Sequence, residues 1–312
     1  MLNIKLPFAI DDLDGNQLLA AGTLLDSATI EAVARKGRQQ GYGSTCLLQH
    51  ERIRSDVEDF MNMNPYEYIF GGAGGVRAHL DRIGEVPIPL PLLRALELFR
   101  EQDFYTYRHS LVVFILSTFM MEIVAREKLI VKNVLLVGPT HDLGKLAIPL
   151  EILNKSTPLT RRERSYLEFH PVAGYVISSY YLGDHQHPAA HVAFNHHERR
   201  DGSGYPRGVA EADPLVEMIA TCDVYDALTS SRPYRPSDYN NRTALEELTS
   251  LAEAGTLSMH CVQALIARNR AGYPTPEEVE VSLVKRGTPP ADNCYGKIVS
   301  EQEKNEFSLT SS

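Results

Sequence analysis

The chain has 312 residues, 43% hydrophobic and 23% charged, enough to fill one large core or two of middling size. A net charge of -9 argues against coating long nucleic acid, which needs a broad basic face, so any anionic substrate must be held by local cations or metals. No run approaches the roughly 18 apolar residues of a membrane span, and the first residues lack a basic-then-apolar signal segment, so a soluble cytoplasmic protein is expected.

Residues 1–85 read as a small α+β module with a linker. "NIKLPFAI" and "QLLAAGTLL" flank "DDLDGN", a hairpin signal. Asp26 or Ser27 caps a helix that Gly41 ends, and "STCLLQ" suits a further strand. The segment is too short for a phosphorylated receiver domain despite Asp11 and Asp12, and it reads as a sensory or packing unit. "FGGAGG" and then "EVPIPLPLL" are poor interiors for helix or strand and mark a boundary. A glycine-rich phosphate cradle is disfavoured, since no strand precedes it and no GK[ST] follows.

Residues 86–273 read as an all-helical domain. His109, Val112, Val113, Leu116, Phe119, Met120 and Ile123 recur at helical spacing as one stripe headed by a histidine. "LTRRERSYLEF", "PAAHVAFNHHE", "VEMIATCDVYDALTS" and "NRTALEELTSLAEAG" give further helices. Residues 274–312 are Pro-rich and polar, and read as a loose tail. Cys46, Cys222, Cys261 and Cys294 form no CxxC pair, so neither a zinc ribbon nor a disulfide framework is indicated.

"THDLGKLAIP" sets His141 and Asp142 inside an apolar run, where an isolated charge is costly without partners. A metal is one such partner, and a plain hydrogen-bonded His–Asp pair is another. Asp223 shares a helix face with Ile219, Ala220 and Ala227, so it points inward, with Asp226 one turn on. His196 and His197 precede Glu198 and the Asp201-Gly202-Ser203-Gly204-Tyr205-Pro206 turn. Imidazole suits first-row transition metals, and carboxylates can bridge two of them.

Taken together, His109-Ser110, "HDLGK", "IL.K...LT..E" from Ile152 to Glu163, His170-Pro171 with Gly174, "HHERRDGSGYPRG" and "DVYDALTSSRPYR" resemble, in order and spacing, the HD-GYP branch of the metal-dependent HD phosphohydrolases. The resemblance covers roughly residues 100–240. It implies an all-helical HD-type bundle that hydrolyses cyclic di-GMP to pGpG, GMP or both. It implies a metal shell of His109, His141, Asp142, His170, His196, His197 and Asp223, with Asp142 bridging two ions, iron or manganese. Lys145 would lie beside the scissile phosphate, and Arg232 and Arg235 would hold substrate phosphate. Gly202, Gly204, Tyr205 and Pro206 would shape the site and offer a surface to a partner such as a diguanylate cyclase. A homodimer is a further expectation.

Three positions depart from the family pattern. Tyr105 stands where members with a third metal carry Glu, so two ions are expected. Gly138 and Pro139 should kink the helix ahead of His141, and Glu217 replaces a common arginine, removing an ion pair. Pro139 and Glu217 motivate the alternative of a catalytically weak module binding cyclic di-GMP or a partner, and an HD enzyme for another cyclic dinucleotide or nucleotide is a third reading. His50, His79, His185, His187, His191 and His260 follow no ligand pattern.

Overall fold

The computed structural model describes residues 2–71, 75–124, 134–230, 238–281, 284–290 and 298–299. Strands β1 (Ile4–Lys5), β2 (Ile10–Asp11), β3 (Gln17–Leu19) and β4 (Leu24–Leu25) form two antiparallel pairs, β1 with β4 and β2 with β3. The expected hairpin turn is tied by Asp12 Oδ1, which accepts from the amides of Asp14 (2.9 Å) and Asn16 (2.8 Å). Helix α1 (Ser27–Gln40) starts at Asp26, whose side chain accepts from Thr29 N, and ends at a left-handed Gly41.

Strand β5 (Ser44–Cys46) follows, then α2 (Glu51–Met61), α3 (Tyr66–Phe70), α4 (Gly75–Ile83) and β6 (Pro87–Pro89), which pairs antiparallel with β5. The proline-rich stretch thus does form regular structure, contrary to its reading as a break. Pro87 and Pro89 lie in a two-stranded ribbon, where strand edges need no ladder donor. Pro91 falls in the first turn of α5 (Leu90–Gln102), where no intrahelical donor is required. Gly72 to Gly74 lie outside the described residues.

Helix α6 (Phe104–Val124) differs from the single-stripe reading. Leu111, Val112, Val113, Phe114 and Ile115 are all buried in succession, so its middle is a central rod covered on every side. The proline before His141 does not kink a long helix. Instead α7 (Val137–Thr140) is a single turn between 3-10 turns at 134–136 and 143–147, and Pro139 sits in that first turn, whose amides lack helical partners anyway. His141 and Asp142 consequently stand in the turn after α7, not within a helix.

Helix α8 (Leu150–Leu153) and strand β7 (Leu159–Thr160) precede α9 (Arg161–Leu167), α10 (His170–Leu182), α11 (Pro188–Asn195), α12 (Pro214–Thr229), α13 (Asn241–Glu253) and α14 (Met259–Arg268). The "LT..E" motif is a capping box: Thr160 N donates to Glu163 Oε2 (2.8 Å) and Glu163 N to Thr160 Oγ1 (3.2 Å), with Lys155 Nζ 2.6 Å from the same carboxylate.

Part of the expected loose tail is seated. Val279 is buried, and the amides of Arg286 and Gly287 donate to Glu246 on α13. An acceptor carboxylate at the helix surface and one apolar anchor suffice to dock this polar segment. Strand β8 (Ile298–Val299) pairs in parallel with β7.

The architecture is mainly helical, as expected, and among the described residues three of the four two-stranded ribbons lie within residues 4–89. One continuous buried cluster runs from Leu6 and Ile10 through Phe114 and Val176 to Val262. A cavity of about 320 Å³ lies between Asp11, Asp12 and Leu13 on one side and Leu146, Ala147 and Ile177 on the other, with the histidine cluster elsewhere. No described helix is long and apolar enough to cross a membrane.

Candidate metal centre

The ligand-capable residues come from separate elements: His109 from α6, His141 and Asp142 from the turn after α7, His170 from the first residue of α10, His196 and His197 from the end of α11, and Asp223 from α12. Every one of these but His197, which is nearly so, is buried. Close packing of glycine brings two of these segments together. A Cβ at Gly144 would stand 1.8 Å from the His170 carbonyl oxygen, so only glycine lets the "HDLGK" turn lie against the head of α10.

Asp142 sits at the middle. Its Oδ2 lies 3.5 Å from the Nε2 of both His109 and His141, while its Oδ1 lies 3.3 Å from His170 Nε2 and 3.7 Å from His196 Nε2. Each oxygen thus faces a different pair of imidazoles. The donor atoms form two groups, Asp142 with His170, His196 and His197, and Asp142 with His109 and His141. Asp223 closes the ring, 3.2 Å from His109 Nε2 and 3.9 Å from His197 Nδ1. The residues expected as ligands are therefore brought together, and Asp142 is the member common to both groups.

The protonation pattern tests whether this cluster suits cations. His141 Nδ1 donates to Gly138 O (2.7 Å), His170 Nδ1 to Leu167 O (2.6 Å) and His196 Nδ1 to Ala193 O (3.0 Å). A carbonyl only accepts, so each Nδ1 carries the proton and each neutral ring turns an Nε2 lone pair inward. The Nε2 atoms of His170 and His196 are then 3.1 Å apart, and those of His109 and His141 are buried with no hydrogen-bond partner. Lone pairs converging on carboxylate oxygens repel one another unless a cation lies among them. The donor set fits divalent metal binding.

The electrostatics run the same way. Burial pushes His141 down to about 4 and His170 down to about 3, and lowers His197 well below the usual histidine range. These rings stay neutral, as ligands must. Burial opposes ionisation of Asp142, yet the Lys145 ammonium beside it holds its carboxyl well below the ordinary range. Asp223 behaves likewise: burial works against it and His109, 3.2 Å away, outweighs that. His109 is the exception. Burial disfavours its charge, but Asp223 and Asp226 on either side raise it, so positive charge is drawn to this spot.

Lys145 Nζ lies 2.6 Å from Asp142 Oδ2, beside the cluster rather than on the surface. Arg232 and Arg235 fall outside the described residues. The Gly-Tyr-Pro turn packs on the cluster directly: the Tyr205 ring stacks on His197 with centroids 4.6 Å apart, and Tyr205 N donates to His197 O (3.1 Å). Gly204 is required there, since a Cβ would lie 2.2 Å from His197 O. Gly202 adopts a positive φ of 77°, and the Tyr205–Pro206 peptide is cis. Asp201 Oδ1 closes the turn by accepting from Ser203 N (3.0 Å).

Three residues were missed as site residues by sequence reasoning. Glu198 is buried and accepts from the amides of Arg207 (2.7 Å) and Val209 (3.1 Å), tying the turn back to the histidine pair. Asp226 accepts from His109 Nδ1 (2.6 Å), fixing which nitrogen of that ring faces inward. Tyr66, from α3, reaches Asp226 in turn. The i, i+3 spacing of Asp223 and Asp226 was the available signal for the second; nothing in the sequence pointed to Tyr66. Glu217 does not forfeit an ion pair as expected, because Arg200 NH1 meets its carboxylate at 2.7 Å. The remaining histidines lie apart from the cluster; His50 and His187, for example, cap α2 and α11.

The fold and site define a helical scaffold built around a shared aspartate. Residues 79–256 match the family model described as HD domain, and the chain belongs to that family, in its HD-GYP branch. It is 42% identical over 144 residues to the cyclic di-GMP phosphodiesterase response regulator RpfG of Xanthomonas campestris pv. campestris, covering 45% of this chain and 37% of that one. It is 39% identical over 148 residues to the cyclic di-GMP phosphodiesterase PA4108 of Pseudomonas aeruginosa, covering 46% and 35%. It is 38% identical over 135 residues to the 3'3'-cGAMP-specific phosphodiesterase 1 of Vibrio cholerae, covering 43% and 31%. The chain thus spans about a third of the length of these relatives.

Proposed function

We propose that the chain is a metal-dependent phosphodiesterase that hydrolyses cyclic di-GMP to pGpG, GMP or both at a dinuclear centre of iron or manganese. The observation that carries this reading is the facing of both Asp142 oxygens toward separate histidine groups whose Nδ1 protons are already committed. His109, His141, Asp142 and Asp223 would hold one ion, and Asp142, His170, His196 and His197 the other. Such a pair supplies Lewis acidity toward the phosphodiester and lowers the pKa of water toward neutrality.

The chain's own residues do the rest. Lys145 brings an ammonium to the edge of the centre, where an entering phosphate meets a local positive charge on a chain that is acidic overall. Asp226 and the carbonyls of Gly138, Leu167 and Ala193 keep the imidazoles aimed, so orientation is not lost in each turnover. Arg232 and Arg235 complete the phosphate contacts in this reading. The exposed Arg207 and Val209 of the Gly-Tyr-Pro turn are where a diguanylate cyclase would dock. Residues 1–85 act as a regulatory module on a catalytic unit of 86–273, in the cytoplasm.

The test is incubation of anaerobically purified, iron- or manganese-loaded chain with cyclic di-GMP and, in parallel, 3'3'-cGAMP, with products separated by chromatography. Conversion of cyclic di-GMP, lost in Asp142→Asn, supports the reading. Conversion of cGAMP alone would reassign the substrate, and no conversion of either by folded, metal-loaded protein would sink the enzyme.

A further inference from the structure

We infer that Tyr66, contributed by the N-terminal part of the chain, is a positioning residue for the metal ligand His109. The inference rests on the metal reading above. Tyr66 lies on α3 and is fully buried. Its hydroxyl donates to Asp226 Oδ1, the same oxygen that accepts from Arg108 NH1 (3.1 Å) and Ser230 Oγ (3.0 Å). The other oxygen, Oδ2, is 2.6 Å from His109 Nδ1.

One carboxylate oxygen is therefore loaded with donors while the other faces the imidazole. A carboxylate pinned in this way cannot rotate, and it offers His109 one direction of approach. Arg108 is held in its place from the same element: its NH2 is 3.3 Å from the Tyr66 oxygen and its guanidinium lies over the Tyr66 ring at 5.5 Å. Burial and Asp226 both push the Tyr66 hydroxyl above its ordinary range, so it remains a donor. Thr229 Oγ1, 3.2 Å away, fixes the hydroxyl from the side of α12. The aim of His109 thus depends on one hydroxyl supplied by α3, which makes the N-terminal part a contributor to the centre rather than an appended unit.

Calorimetric titration of the metal-free full chain with manganese tests this in the wild type, Tyr66→Phe, Ser230→Ala, Asp226→Asn and Ile69→Ala, with thermal unfolding recorded for each. Ile69 is buried on the same short helix and its side chain carries no polar atom, so it reports packing alone. Removing the group that a metal-binding imidazole hydrogen-bonds through its other nitrogen weakens metal binding by roughly 10- to 100-fold. Asp226→Asn should fall in that range for one of two ions, and Tyr66→Phe should lose about 10-fold at the same ion. Ser230→Ala should follow with a smaller loss, while Ile69→Ala should lower the unfolding temperature with wild-type affinity. Wild-type affinity in Tyr66→Phe, or a loss in Ile69→Ala matching its destabilisation, would overturn the inference while leaving the metal centre standing. A wild type that binds no manganese would overturn the metal reading and this inference with it.

Discussion

Replacing Gly204 by alanine asks whether the Gly-Tyr-Pro turn shapes the metal centre. The added methyl would stand 2.2 Å from His197 O, 2.6 Å from the Glu198 Cα and 2.7 Å from Arg199 N. All three are backbone atoms, so no side chain can swing away, and the main chain of the histidine segment must move by about 1 Å to restore contact distance. Overpacking of this kind costs roughly 1–3 kcal/mol. In a domain of this size each kcal/mol lowers the unfolding temperature by about 2–4 °C, so a fall of roughly 2–12 °C is expected. The displaced peptide carries the His197 carbonyl that accepts from Tyr205 N, and the ring stacked on Tyr205 goes with it. Bound metal should therefore fall along with stability. Calorimetry of the metal-free chain and elemental analysis of the loaded chain read the two effects. Gly255→Ala is the control: its φ is +80° but nothing lies within 4 Å, so it strains the backbone without touching the centre. The reasoning fails if Gly204→Ala keeps wild-type stability and metal content, or if Gly255→Ala loses metal equally.

Two further outcomes are expected. Glu198→Gln leaves one of the amides of Arg207 and Val209 facing an NH2 group instead of an acceptor. The unsatisfied donor should cost about 1–3 kcal/mol, read by urea denaturation, and an unchanged midpoint would count against the anchoring role. The metal-free chain should also lose stability as pH falls from about 6.5 toward 4. His141 and His170, lowered to about 4 and about 3, bind fewer protons folded than unfolded across that window, so acid favours the unfolded chain. Each contributes a slope of up to about 1.4 kcal/mol per pH unit. His109, raised, has the opposite sign: its contribution is present below the unfolded value and lost as pH rises through the folded one. Denaturation midpoints flat between pH 4 and 6.5 would contradict the buried neutral rings.

That these histidines and aspartates belong together was legible because their residue types stand in recognisable local patterns. His141-Asp142, His196-His197 and the inward Asp223 each carry a local signature, and their meeting follows from a helical core. What surrounds them was less legible. Pro139 reads as a kink until the chain is seen to start a new helical turn at Val137, two residues before it. Pro87 and Pro89 read as a break because their partner, Ser44–Cys46, is remote in sequence. Glu217 reads as a lost ion pair because Arg200, which meets it, lies on a different segment. Residues 274–290 look like tail by composition, and Glu246 on another helix decides otherwise. In each case the deciding partner is tertiary, and local propensity carries no record of it.

That distinction between local and tertiary support divides the centre itself. His141, His170 and His196 are aimed by carbonyls three residues before them, so each ring is fixed once its own turn has formed. His109 has no such local acceptor for Nδ1; it relies on Asp226 across the core, and Asp226 relies on Arg108, Ser230 and Tyr66. Loss of the Tyr66 hydroxyl therefore has one imidazole through which to act. In the proposed dinuclear reading it should weaken the ion at His109, His141 and Asp142 while sparing the one at His170, His196 and His197. A cluster built this way has most of its imidazoles set by local structure and leaves His109 dependent on a tertiary hydrogen-bond chain.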